Sequence, residues 1–193
     1  MTMAQTHEPT LLKPVPPSSP TAMRLDDKAI EAARRSLDAK APEPPADAAW
    51  RSDLVKLLNG ALATEVVCVL RYRRHHYTVR GLASPKIAEE FLVHANEELA
   101  HADRLAGRIC QLGGEPDFSP ATLTARSHAA YDDATDLLAM IRANLVAELV
   151  AIESYSQLVA LVGDQDPTTR RLLEDILGDE QQHADELQGW LAE

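Results

Sequence analysis

The sequence predicts an all-α protein: a four-helix bundle of two antiparallel helix pairs, with one long crossover between helices 2 and 3. Three observations predict it. Aromatics make up 4% of the 193 residues, Gly numbers only 8, and Ala, Leu and Glu dominate, which favours helices over packed sheets. Apolar residues recur at 3–4 spacing through four long segments. Turn signals place short connections inside each pair and a long one between the pairs.

Residues 1–24 are rich in Pro, Ser and Thr without periodicity, and are expected to form a flexible tail. Residues 26–40 suit a short helix with Asp26 or Asp27 as N-cap, ended by Pro42, Pro44 and Pro45. Residues 1–49 are thus an N-terminal extension, close to neutral and unlike a basic arm for nucleic acid. Residues 50–193 are the bundle. Its first helix is expected from about residue 47 to about residue 80, with Leu58, Leu62, Glu65, Val69 and Tyr72 on the core side and Gly81 as the C′ residue. Ser84-Pro85 reads as an N-cap and N1 pair opening the second helix, which should run to residue 112 and stop at Gly113-Gly114. Pro116, Pro120 and turn formers mark the crossover, with a short helix around Leu123 to Ala130. The third helix should start between Asp133 and Asp136 and end at Gly163. Asp166-Pro167 opens the fourth, which continues to the C-terminus.

Charged groups interrupt the core stripes. Phe91, His94, Glu98, His101, Leu105 and Leu112 share one helix face; Leu173, Ile176, Glu180, His183, Leu187 and Leu191 share another. Glu65 and Glu148 are single acids inside apolar runs, 33 and 32 residues before Glu98 and Glu180. Each is followed seven residues later by a tyrosine, Tyr72 or Tyr155. The chain therefore reads as two copies of one helix pair: a lone Glu, then Glu-x-x-His. An unpaired carboxylate at a core position is very costly, and a bound metal removes that cost. One Glu from each of two helices and Glu-x-x-His from each of two others is the ligand set of di-iron carboxylate bundles. Four carboxylates balance two divalent irons in charge, and oxygen and imidazole ligands suit iron. Four surface helices with coincidental acids would not put two such motifs in core register.

This set resembles the ferritin-like superfamily, and within it the bacterioferritin and Dps-like group, over residues 50–193. The resemblance implies a ferritin-like four-helix bundle holding two Fe per subunit. It makes Glu65 and Glu148 terminal ligands, Glu98 and Glu180 bridges, and His101 and His183 one ligand to each iron. Tyr72 matches a tyrosine beside the site and would donate one electron. The implied activity is a ferroxidase that oxidises Fe(II) with dioxygen or hydrogen peroxide and stores ferric mineral in a homo-oligomeric shell. Three departures refine this. The methionine that holds haem in bacterioferritins is here Leu99, so no haem is expected. Only ten residues follow His183, which favours a twelve-subunit shell over a 24-subunit cage or a dimer. Conventional Dps proteins build their iron site between subunits, whereas this chain carries the intrasubunit set. Protection of DNA would follow from iron removal; direct nucleic-acid binding is not expected at a net charge of −11.

Other residues carry weaker expectations. His94 shares the face of Glu98 and could assist iron uptake or support a ligand. His76 is placed on the site-facing side of the first helix, beside His75. Glu97 and Asp179 read as solvated or cavity-facing acids. Cys68 and Cys110 read as small core residues, and Trp50 and Trp190 as packing residues at helix ends. Two cysteines form no disulfide framework, no signal-peptide core opens the chain, and no run of about 18 uncharged apolar residues occurs. A cytoplasmic protein without a membrane partner is expected. Two alternatives remain at this stage: a di-iron oxidase acting on an organic substrate with a reductant partner, and a helical interaction protein whose acids bind stray cations. Manganese–iron or zinc occupancy is also open.

Overall fold

The computed structural model describes residues 47–81 and 84–192, together with Lys28 and Glu31, which are helical. The expected tail, the rest of the expected helix over 26–40 and the prolines that follow lie outside the described residues. The chain divides into two units, 1–42 and 43–193, and the second contains the bundle.

Helix α1 spans Ala48–Thr78. Asp47 caps it, its carboxylate accepting from the backbone of Ala49 at 2.9 Å and Trp50 at 3.2 Å. The helix ends two residues before the expected boundary. Val79 turns to an extended conformation and buries its side chain, while its N–H still reaches the His75 carbonyl at 2.9 Å. Gly81 is therefore not the C′ residue; it takes a φ of 128° in the link that follows. Helix α2 spans Ser84–Gln111, one residue earlier than expected at its start. It ends in a Schellman motif. The Gly113 N–H reaches the Cys110 carbonyl and the Gly114 N–H reaches that of Ile109, both at 2.9 Å, with Gly113 at a φ of 79°.

The crossover carries one turn of helix, α3 (Leu123–Arg126), shorter than expected. The chain leaves helical geometry at Ser127, and the His128 N–H donates instead to the Thr64 hydroxyl at 2.9 Å. Arginines from α1 fix the rest of the connection. Arg71, fully buried, reaches the Ala130 carbonyl at 3.1 Å, and Arg74 reaches those of Asp133 and Ala134, each at 2.8 Å. Helix α4 (Leu137–Val162) is capped by Asp136, which accepts from the Ala139 N–H at 2.9 Å. Helix α5 (Pro167–Ala192) is capped by the buried Asp166. That carboxylate accepts from the Thr169 N–H at 3.0 Å and from Arg108 of α2 at 2.7 Å, so one residue starts α5 and ties it to α2.

Helix α1 packs along α2, and α4 along α5. Among the described residues there is no strand. Two apolar clusters fill the bundle. One holds Leu58, Leu62, Leu105, Ile109, Leu158, Leu173 and Ile176; the other holds Tyr72, Phe91, Met140 and Leu187. In the register of all four long helices, the acids and histidines named above fall between the two. Helix α4 is long and apolar enough to cross a membrane by length and composition. Here it carries Asn144 and Glu148 into the bundle and leaves Leu138, Val146, Leu149 and Leu161 exposed.

Gly114 tests the end of α2. A Cβ there would stand 2.6 Å and 2.8 Å from the two methyls of Val55, a branched side chain with little freedom to yield. Gly114→Ala should destabilise the protein by about 1–3 kcal/mol, measured as a lower urea midpoint at unchanged slope.

Candidate metal centre

Six side chains from the four long helices converge between the two apolar clusters. Glu65 comes from α1, Glu98 and His101 from α2, Glu148 from α4, and Glu180 and His183 from α5. All six are buried. They form two overlapping sets, Glu65–Glu98–His101–Glu180 and Glu98–Glu148–Glu180–His183, and each set offers four ligand atoms within 4.8 Å of one another. Glu98 and Glu180 belong to both.

The orientation of each group follows from its neighbours. Both imidazoles turn Nδ1 inward. His101 Nδ1 lies 3.1 Å from Glu180, 3.3 Å from Glu98 and 3.5 Å from Glu65. His183 Nδ1 lies 3.6 Å from Glu98, 3.7 Å from Glu180 and 3.9 Å from Glu148. The outer nitrogens meet carboxylates from the opposite pair: His101 Nε2 meets Asp179 at 3.2 Å, and His183 Nε2 meets Glu97 at 2.8 Å. Two tyrosines close the set. Tyr72 donates to one oxygen of Glu148, and Tyr155 donates to one oxygen of Glu65.

That leaves six inward atoms with no hydrogen-bond partner: Glu65 Oε2, Glu98 Oε1, Glu148 Oε2, both oxygens of Glu180 and His183 Nδ1. Orphaned buried polar atoms are rare, and a converging set of them needs an unseen partner. Five carboxylate oxygens and an imidazole nitrogen are ligands for divalent first-row metals, so the residues present fit a pair of such ions.

Protons supply part of the missing positive charge in the metal-free cluster. Burial, with the charges of Glu180 and Glu98, pushes the Glu65 carboxyl well up; burial with Glu98 and Glu180 does the same to Glu148. Burial opposes charge on His183, but the carboxylates of Glu180 and Glu98 beside it outweigh that and push the imidazole up to about 12. His101 is raised in the same way by Glu180, Glu65 and Glu98. Burial would raise Glu98, yet the His101 imidazole bonded to it and the His183 imidazole beside it hold it below the carboxylate range.

The ferritin-like domain family matches residues 55–193. The chain belongs to the ferritin-like family. A bacterioferritin of Desulfovibrio desulfuricans is 29% identical over 137 residues, covering 69% of this chain and 71% of that protein. A nutrient stress-induced DNA-binding protein of Synechococcus is 33% identical over 129 residues, covering 65% and 73%. Among solved structures, a dodecameric thioferritin described as the bacterioferritin-related protein of Bacteroides fragilis has a TM-score of 0.71 at 30% identity, covering 74% of this chain and 86% of that one. The Desulfovibrio desulfuricans bacterioferritin, whose diiron site was studied in different catalytic states, has a TM-score of 0.67 at 25% identity, covering 80% and 84%.

In this ferritin-like chain several outer residues lie elsewhere than their spacing suggests. Glu97 and Asp179 are half-exposed, yet each orients a histidine across the bundle. Their position one residue before Glu98 and Glu180 was visible in the sequence; the partner across the bundle was not. Tyr155 stood out only as the repeat of Tyr72, and the structure gives it the matching bond. His94 is buried, bonded to Tyr72 at 3.2 Å and Glu186 at 3.0 Å. His76 does not face the cluster: its Nδ1 lies 2.6 Å from the Ala88 carbonyl. His75 is buried instead, against Phe91, Asn144 and Asp132. Cys68 is buried beside Arg71, whereas Cys110 is exposed and no core residue. Leu99 is exposed. Trp50 packs on one cluster, and Trp190 packs on Phe91 and His94.

Metal ions that replace these protons must release them. His101, His183, Glu65 and Glu148 all hold protons above their ordinary ranges, so loading should release protons. Affinity should therefore rise with pH. Calorimetric titration in buffers of different ionisation enthalpy measures the release; a value near zero would contradict this charge distribution.

Proposed function

We propose that the chain is a ferroxidase that detoxifies and stores iron. Fe(II) is its substrate, with dioxygen or hydrogen peroxide as oxidant. The observation that carries the reading is the convergence of six orphaned ligand atoms between two apolar clusters. In this reading Glu65 and His101 hold one iron, Glu148 and His183 hold the other, and Glu98 and Glu180 bridge them. Two bound irons would supply the one-electron steps between Fe(II) and Fe(III) that reduce the oxidant.

The residues of the chain do the rest. Asp179 and Glu97 accept from the outer nitrogens of His101 and His183, which fixes the tautomer and leaves Nδ1 free for metal. Tyr155 and Tyr72 each hold one oxygen of Glu65 and Glu148, so the other points inward. Tyr72 is the proposed one-electron donor. The apolar clusters on either side exclude water and strengthen each charge interaction.

The relatives support the same reading: one is named a bacterioferritin and one is a dodecameric thioferritin. A twelve-subunit shell without haem is proposed on that basis, with the exposed apolar side chains of α4 supporting contact between copies. The net charge of −11 supports attraction of cations rather than direct contact with nucleic acid; a cytoplasmic location is proposed with it.

Anaerobic Fe(II) titration followed by an oxygen or peroxide pulse tests the proposal. Two irons per chain, fast oxidation and further uptake by a shell-sized particle are expected. Glu98→Ala and Glu180→Ala should each slow oxidation by at least about tenfold, with far-ultraviolet dichroism and particle mass unchanged. Two irons oxidised in a dimer without further uptake would favour an oxidase of an organic substrate instead.

A further inference from the structure

Helix α4 is the most apolar of the four long helices, yet it is buried along one side only. Its inward side carries Met140, Asn144, Ala147, Glu148, Ala151 and Tyr155. Its outward side runs at 3–4 spacing through Leu138, Arg142, Val146, Leu149, Glu153 and Gln157, all of them exposed. Val146 stands 61% exposed and Leu149 48%. A helix face turned to water is ordinarily charged or polar. Here large apolar side chains alternate with single charges, which marks a surface built for contact.

The charges are sparse and ordered. Arg142 is the one cation of α4, and Glu153 is its one outward acid. They lie 11 residues apart on the same face, about 16 Å along the axis, and do not reach each other. Neither makes an ion pair among the described residues; Glu153 accepts only from Gln157, at 2.7 Å. The stripe is complementary to itself about a point between Ala147 and Glu148. Val146 mirrors Leu149, and Arg142 mirrors Glu153.

A two-fold contact demands this pattern, because each residue must suit the residue it meets and be met by it in turn. Laid antiparallel on this face, a second α4 sets Val146 beside Leu149 of the second copy and Arg142 beside Glu153 of the second copy, each contact made twice. A parallel arrangement would set Arg142 against itself. Antiparallel packing also brings the two helix dipoles head to tail. Between α4 and the crossover runs a groove walled by Tyr131, Ala143, Val146 and Val150. The small Ala143 leaves room there for a side chain of the second helix. A lipid surface fits less well, since Arg142 and Glu153 stand in the middle of the stripe and would have to enter it.

We propose that this face is a two-fold interface, in which α4 of one copy packs antiparallel on α4 of a second. The inference rests on the proposed homo-oligomer for the presence of a second copy. It adds the face, the register and the two ion pairs that select that register.

The test is a charge exchange in the full-length protein, read by sedimentation over a dilution series and by native mass spectrometry with one variant isotope-labelled. Arg142→Glu makes the stripe all acidic, and Glu153→Arg makes it all basic. Each should raise the concentration at which copies dissociate at least about tenfold. Both positions are exposed, so helix content by circular dichroism should not change. An equal mixture of the two variants should recover wild-type association as one-to-one mixed pairs, because both ion pairs of the two-fold are then restored. Single variants that associate like wild type, or a mixture that fails to recover, overturn the interface. A shell-sized particle in that case leaves the shell standing on other contacts. A wild type that stays monomeric overturns the interface and the shell together.

Discussion

Four carboxylates and two imidazoles are buried in the middle of a helical core, and the rest of the structure answers to that burial. An isolated ionised carboxylate in such a place is not tolerated. The chain manages it in three ways. Protons stay on Glu65, Glu148, His101 and His183 beyond their ordinary ranges. Tyr72 and Tyr155 each satisfy one carboxylate oxygen from inside the core. Asp179 and Glu97 anchor the imidazoles from outside. What remains is a set of bare inward atoms that no protein group satisfies. A fold that only needed stability would gain by filling these positions with apolar residues. Their presence at core register supports a ligand-binding role for this part of the sequence.

The connections serve the same end. Glu98 and Glu180 must meet at one depth, which requires that α2 and α5 be fixed along their axes. Asp166 does this at one end of the bundle: it caps α5 and holds Arg108 of α2, close to the termini of both helices. At the other end the buried Arg71 bonds Asn144 of α4 at 2.7 Å and the crossover backbone at Ala130, joining α1 to the second pair. Neither arginine touches a cluster oxygen, yet both set the register at which the clusters form.

Much of this was legible in the sequence because helical period is a strong signal. The 3–4 spacing around Glu98 and Glu180 placed them on the core face, and the lone Glu65 and Glu148 stood out against Val, Leu and Ala. Asp136 and Asp166 marked helix starts through their capping chemistry. What the sequence hid depends on contacts between distant segments. The bond of Asp179 to His101 spans 78 residues, so no local pattern announces it. The burial of His75 rather than His76 depends on Phe91, Asn144 and Asp132, which meet it from distant segments. The one-turn α3 was overread because nothing local shows that Thr64 will capture the His128 N–H.

The repeat also explains why symmetry is kept where it is and lost elsewhere. If two metals are bridged by two carboxylates, as proposed, the demand on each side is the same, and each half supplies a Glu and a Glu-x-x-His. A tyrosine behind each terminal Glu and an acid behind each His follow from the same demand, since both halves bury the same groups at the same depth. No such demand reaches one turn further out. There the halves are free to differ, and they do: Ile176 and Arg104 close one end, while His94 and Glu186 occupy the other. The first end pairs Asp175 and Asp179 with the Arg104 guanidinium, whereas the second pairs Glu186 and Glu97 with the imidazoles of His94 and His183.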